Sequence, residues 1–167
     1  MGTMKILRIV LNGIMGIIFL FGILIIVMFA LGLVPTIVSS GSMSGTLEIG
    51  DLCFISKRYP YEKIKKGDII VYQLPKQKVI HRVINQSEEG LTTKGDANAN
   101  PDTKKTTQSN YYGKYVFSIP RVGLLISKMQ TVMGKTIAVT CILVLYVVTY
   151  LVNYACKKKE SDLSGDK

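Results

Sequence analysis

Residues 14–34 read IMGIIFLFGILIIVMFALGLV and residues 35–52 read PTIVSSGSMSGTLEIGDL; the border between them decides the fold. The first stretch is 21 residues, all apolar or glycine. At about 1.5 Å of rise per residue, its helical length matches the roughly 30 Å hydrocarbon core of a bilayer. The uncharged region is wider still, because residues 9–47 contain no Asp, Glu, Lys, Arg or His. The second stretch sets Ser39, Ser40, Ser42 and Ser44 around Gly41 and Gly45, ahead of its first acid, Glu48. Small hydroxyl residues on a glycine-flexed turn leave three readings open: a polar hinge, a helix cap, or a nucleophile held at a membrane surface.

A second uncharged run, TIAVTCILVLYVVTYLVNYAC, covers Thr136–Cys156 and is followed by KKKE. Its β-branched residues also suit buried strands, but its length and basic flank favour a membrane helix. Tyr146, Tyr150 and Tyr154 fit an interfacial belt. Lys5 and Arg8 ahead of the first run would also suit a cleaved signal peptide. The apolar stretch is too long for that, since such cores run about 7–15 residues. With Lys5 and Arg8 before one span and Lys157–Lys159 after the other, both ends are expected in the cytoplasm. The expected organisation is a cytoplasmic start (1–8), a first span (9–34), an extracytoplasmic domain (35–135), a second span (136–156) and a cytoplasmic tail (157–167).

Charge and cysteine content narrow the classes. The chain has a formal net charge of +10, and residues 34–135 hold 15 Lys and Arg against 8 Asp and Glu. A basic domain beside a bilayer is attracted to anionic headgroups. Nucleic acid is the other usual partner of such a charge, and two spans with this topology argue against it. Cys53 is the only cysteine of the outer domain, so no internal disulfide is available there, and no metal-ligand spacing occurs. Neither a metal nor a cofactor is expected.

The outer domain reads as β. Asp51–Tyr59, Gly67–Leu74, Lys78–Gln86, Gly90–Asp96 and Gly113–Pro120 are short runs rich in β-branched or aromatic residues, split by turns such as KKGD, LPKQ, SEEG and NANPD. About five strands in this length predict a small, mostly antiparallel sheet or barrel between the two spans, with a short amphipathic helix over residues 121–135. The chain's only histidine, His81, lies mid-run in VIHRVI. Alternation puts Val79, His81 and Val83 on one face and Ile80, Arg82 and Ile84 on the other. Asp96 and Asp102 follow in TKGDANANPD, which also reads as an ordinary Asx-rich turn. A serine needs a base, an imidazole suits that task near neutrality, and a carboxylate on its other nitrogen fixes the tautomer. Ser42, His81 and Asp96 or Asp102 supply these three roles.

These residues resemble the type I signal peptidases, membrane-bound serine proteases that remove signal peptides from exported proteins. SGSM (Ser40–Met43) with TLEIGDL (Thr46–Leu52) looks like the nucleophile box, and KKGDIIVYQLP (Lys65–Pro75) like the next strand. IHRVI (Ile80–Ile84) looks like the general-base box, TKGDANANPD (Thr93–Asp102) like the acidic box, and GKYVFSIPRVG (Gly113–Gly123) like the closing box. His81, where the common bacterial form has lysine, is similar to the endoplasmic-reticulum subtype, also found in archaea and spore-forming Gram-positive bacteria.

The resemblance implies Ser42 as nucleophile and His81 as general base, with Asp102 the third member and Asp96 a supporting carboxylate. It implies an oxyanion hole from the Ser42 backbone N–H, aided by the Ser40 hydroxyl. It implies an extended substrate pairing with strands near Leu52–Ile55 and Lys78–Val83, so that Met43, Leu52, Phe54 and Val79 meet it. Substrates would be preproteins with small residues at −1 and −3, cut at the outer surface of the cell membrane; any accessory subunit is left open. Two departures stand out. Gly45 occupies the place where the family usually has proline, and only some members have a second span. The rival reading is a membrane-anchored, non-catalytic peptide-binding or scaffold module on the same fold.

Overall fold

The computed structural model describes residues 2–164, with side chains from Thr3 to Lys158. Residues 165–167 of the expected tail lie outside the described residues. The chain divides into two compact units, residues 1–26 with 128–167, and residues 27–127.

The first unit is a helix pair. Helix α1 covers Gly2–Ala30 and helix α3 covers Val132–Ser164. Both contain stretches long and apolar enough to cross a bilayer, Thr3–Ala30 and Val132–Lys158, with mean hydropathies of 2.9 and 2.1. Large apolar side chains stand open on their surfaces, among them Ile17, Phe19, Ile26, Leu143 and Leu151. Among the described residues, Leu11 on α1 and Thr149 and Cys156 on α3 are buried. A reciprocal amide contact ties the helices: the Asn12 amide donates to Asn153 Oδ1 at 3.3 Å, and the Asn153 amide donates back to Asn12 Oδ1 at 3.0 Å. An unpaired amide in hydrocarbon costs several kcal/mol, so each asparagine makes the other tolerable.

The second unit is a six-stranded antiparallel sheet: β1 Leu33–Ile37, β2 Leu52–Ser56, β3 Ile69–Gln73, β4 Lys78–Ser87, β5 Gly90–Lys94 and β6 Tyr111–Ile119. The order is β1-β2-β6-β3-β4-β5, and the sheet does not close into a barrel. The predicted antiparallel β domain between apolar helices is therefore found, as an open sheet. The five expected runs became β2 to β6, and β1 is an addition. It begins inside what reads as the end of the first apolar run and crosses its border at Pro35, because Gly32 at φ 77° stops the helix and Leu33–Ile37 pair with β2. Val34 faces Ile55 and Ile37 faces Leu52 in that register.

The strand alternation divides the core. Val38, Met43, Leu47, Cys53, Ile55, Ile69 and Val71 fill one side of the sheet, while Ile64, Ile70, Val83 and Leu91 fill the other. Cys53 is fully enclosed, and burial followed by the nearby Asp51 charge pushes its thiol up to about 11. Asp51 is buried too, accepting the Glu48 N–H at 2.9 Å and the Arg121 N–H at 3.0 Å. Helix α2 (Val122–Met129) follows β6, in place of one helix over residues 121–135. Thr131 then accepts the Gly134 N–H at 3.0 Å and so caps the start of α3, which begins ahead of the expected second span.

The helix pair carries a direct test. Asn12→Leu or Asn153→Leu each leaves one amide unpaired in apolar surroundings and is expected to weaken the pair by about 1–2 kcal/mol. Thermal unfolding in detergent should show the double substitution costing less than the sum of the two singles.

Candidate active site

The serine turn is built by short-range backbone bonds. Gly41–Met43 form one 3₁₀ turn, packed against β4. Met43 is buried and anchors the turn in the core, leaving the hydroxyls of Ser40 and Ser42 3.3 Å apart. Beyond it Gly45 adopts φ 93° and donates its N–H to Glu48 Oε1 at 2.8 Å. Proline, fixed near φ −65° and lacking that N–H, cannot take this position. The departure seen in the sequence therefore belongs to a turn of different backbone shape.

The acidic loop holds the serine from behind. The Ala97 N–H donates to the Ser42 carbonyl at 2.9 Å. Gly95 passes so close that a Cβ there would lie 2.5 Å from that same oxygen.

The strand between supplies the histidine. His81, on β4, is buried, and its Nδ1 lies 2.6 Å from Asp102 Oδ2. With a carboxylate as partner, Nδ1 carries the proton. Two more donors reach the same Oδ2: Tyr72 O–H at 3.0 Å and Thr93 O–H at 2.6 Å. Asp96 does not join this group. It accepts Arg82 Nε at 2.9 Å, Arg82 Nη2 at 2.6 Å and Thr46 O–H at 2.7 Å. The Arg82 guanidinium beside it, with help from Thr46, holds the Asp96 carboxyl below its ordinary 3.8. Neighbouring strand residues point to opposite faces, so His81 and Arg82 diverge and each takes a different aspartate from one loop.

Ser40, Ser42, Met43, Val79, His81 and Asp102 all line one groove of about 370 Å³. Two backbone edges border it. β1 is an outer strand of the sheet, and β4 pairs over Lys78–His81 only with β3, because β5 begins its pairing at Arg82. The expectation for Leu52 and Phe54 is corrected. β2 is paired on both sides, with β1 and β6, so Leu52–Ile55 has no free edge. Neither side chain lines the groove, and Phe54 instead stacks on Phe117 at 4.5 Å.

Arg82, Thr46, Tyr72 and Thr93 had no assigned role in the sequence. Arg82 was legible in part, since alternation puts it opposite His81. Tyr72 and Thr93 stand 30 and 9 residues from Asp102, and no spacing signal links them to it.

A hydroxyl-bearing turn, a histidine paired to a carboxylate and two free strand edges thus border one groove, and the side chains are the residue types that hydrolysis of an acyl bond calls on. A family model described as signal peptidase, peptidase S26, matches residues 10–99, a little over half of the chain, and the chain belongs to that family. The match takes in Ser42, His81 and Asp96 and ends before Asp102. A protein named signal peptidase complex catalytic subunit sec11 from Sclerotinia sclerotiorum is 34% identical over 100 residues, covering 52% of this chain and 58% of its own. Catalytic subunits of the same name from Candida dubliniensis and Pyricularia oryzae are 35% identical over 82 residues and 33% over 100; they cover 46% and 52% of this chain, and 48% and 58% of their own. The chain thus spans about half the length of the curated relatives it matches.

Two predictions follow from the loop geometry. Because the folded pKa of Asp96 is depressed, its ion pair stabilises the fold above the ordinary carboxylate pKa, and the contribution fades as pH falls through the depressed value. Asp96→Asn should cost about 1 kcal/mol in thermal unfolding at pH 6, and the gap to wild type should begin to narrow near the ordinary carboxylate pKa and close only once pH passes the depressed value. Gly45→Pro, which would restore the family's usual residue, is expected to destabilise by more than about 1 kcal/mol in the same measurement.

Proposed function

We propose that the chain is a serine endopeptidase that removes signal peptides from exported preproteins. The observation that carries this reading is the His81–Asp102 bond at 2.6 Å, which leaves the other imidazole nitrogen to serve the groove shared with Ser42. Ser42 Oγ attacks the scissile carbonyl while His81 takes its proton. The tetrahedral oxyanion meets the Ser42 N–H and the Ser40 hydroxyl, and His81 then protonates the leaving amine. Water, activated by the same imidazole, releases the acyl group. Asp102 orients His81 and stabilises its charged form, while Asp96 serves the loop rather than the proton transfer.

The substrate lies extended between the free edges of β1 and of β4 at Lys78–His81, with backbone hydrogen bonds giving affinity and Met43 and Val79 shaping pockets for small side chains at −1 and −3. The two apolar helices cross the cell membrane with both chain ends in the cytoplasm and the sheet domain outside, where a signal peptide inserted in the bilayer ends. Tethering then replaces a search in three dimensions by one in the membrane plane.

The test is cleavage of a preprotein with Ala at −1 and −3 by the full chain in liposomes. Ser42→Ala is expected to lose on the order of 10³-fold or more, and Asp102→Asn on the order of 10⁴-fold through the wrong tautomer. Asp96→Asn, which keeps the side chain's shape and one acceptor for Arg82, should lose far less kcat at pH 7 than Asp102→Asn. Folded wild type that cuts none of its own exported preproteins would leave the non-catalytic peptide-binding reading.

A further inference from the structure

We propose that the buried hydroxyls of Tyr72 and Thr93 are positioning groups for the catalytic pair, acting by anchoring Asp102 Oδ2 against His81. The inference rests on the peptidase reading above and assigns that site two residues beyond the serine, the histidine and the aspartates.

Three donors converge on one carboxylate oxygen: His81 Nδ1 at 2.6 Å, Thr93 O–H at 2.6 Å and Tyr72 O–H at 3.0 Å. Such charge-assisted bonds are the strong ones, and together they fix the carboxylate's rotation. Thr93 also receives Asp102 at the backbone, the Asp102 N–H donating to the Thr93 carbonyl at 2.8 Å. Aspartate and threonine are therefore locked at two points. Tyr72 touches both members of the pair, since its ring stands edge-on to the His81 ring at 6.2 Å while its hydroxyl holds the aspartate. Tyr72 and Thr93 are themselves buried and come from β3 and β5, the two neighbours of β4. The histidine's carboxylate is thus held from both flanking strands. Burial, and then the charge of Asp102, push the Tyr72 hydroxyl well above its usual range, which keeps it a donor at any working pH.

A satisfied core tyrosine needs only some acceptor. Tyr72 spends its proton on the one acidic oxygen that also receives the histidine, on the wall of the groove. The carboxylate is then already aimed when substrate arrives, and no part of the substrate has to order it.

The test uses the full chain in detergent with the preprotein above. Tyr72→Phe keeps the ring and removes the hydroxyl; kcat is expected to fall on the order of tenfold with KM changed less than about twofold. Thr93→Val should act in the same direction, and Thr93→Ser, which restores a hydroxyl, should recover most of the rate. His81 is the only histidine, so its Nδ1 proton gives a single low-field NMR resonance to follow. That signal should broaden through faster exchange in Tyr72→Phe and Thr93→Val and vanish in Asp102→Asn. Wild-type kcat together with an unchanged resonance in Tyr72→Phe would overturn the proposal, as would a Thr93→Ser variant as impaired as Thr93→Val. Absence of any Ser42-dependent cleavage would instead sink the peptidase reading, while the resonance still decides whether the hydroxyls hold the pair.

Discussion

The ion pair of Arg82 and Asp96 is the constraint on which the rest of the site depends. Arg82 forks onto both oxygens of Asp96, and its third nitrogen reaches the Gly67 carbonyl at 3.0 Å. Thr46, on the serine turn, bonds to the same carboxylate. Three segments far apart in the chain are thereby joined: the turn bearing Ser42, the strand bearing His81 and the loop bearing Asp102. A bidentate guanidinium–carboxylate contact is directional as well as strong, so it sets the angle at which the loop leaves β5. The bond from Ala97 to the Ser42 carbonyl and the bare Cα of Gly95 then bring the loop flush with the serine.

The consequence is a division of labour between two aspartates six residues apart. One is held by an arginine and joins the segments; the other is paired with the histidine. The pleat of β4 enforces this, since consecutive side chains cannot share a face. A loop that serves both His81 and Arg82 reaches both faces of the strand, and Gly95 at its start lets it pass close against the Ser42 carbonyl.

Much of this was legible in the residues. Apolar runs near bilayer length marked the helices, and β-branched runs between Gly, Pro and Asn turns marked five of the six strands. The missed strand, β1, was hidden because Leu33–Ile37 continues the apolar character of α1 with only Gly32 to mark the break. Ser42, His81 and the two aspartates were singled out from residue type and order, which left open which aspartate meets His81; the structure pairs Asp102 with it. What could not be read was pairing. Whether β2 is an edge or an interior strand depends on sheet order, a long-range property, and β1 and β6 cover both its sides. For the same reason Leu52 and Phe54 looked available to a substrate and are not. Tyr72 and Thr93 were invisible because a tyrosine or threonine in a strand is ordinary, and only the register across β3, β4 and β5 aims their hydroxyls at one oxygen.

The enclosed thiol of Cys53 bears on how such a domain can be made. The sheet domain has no second cysteine, and this one is shut away from solvent in its protonated form. Its fold therefore owes nothing to oxidation. It can be completed equally in a reducing compartment or an oxidising one, without disulfide isomerases and without mispaired or crosslinked by-products.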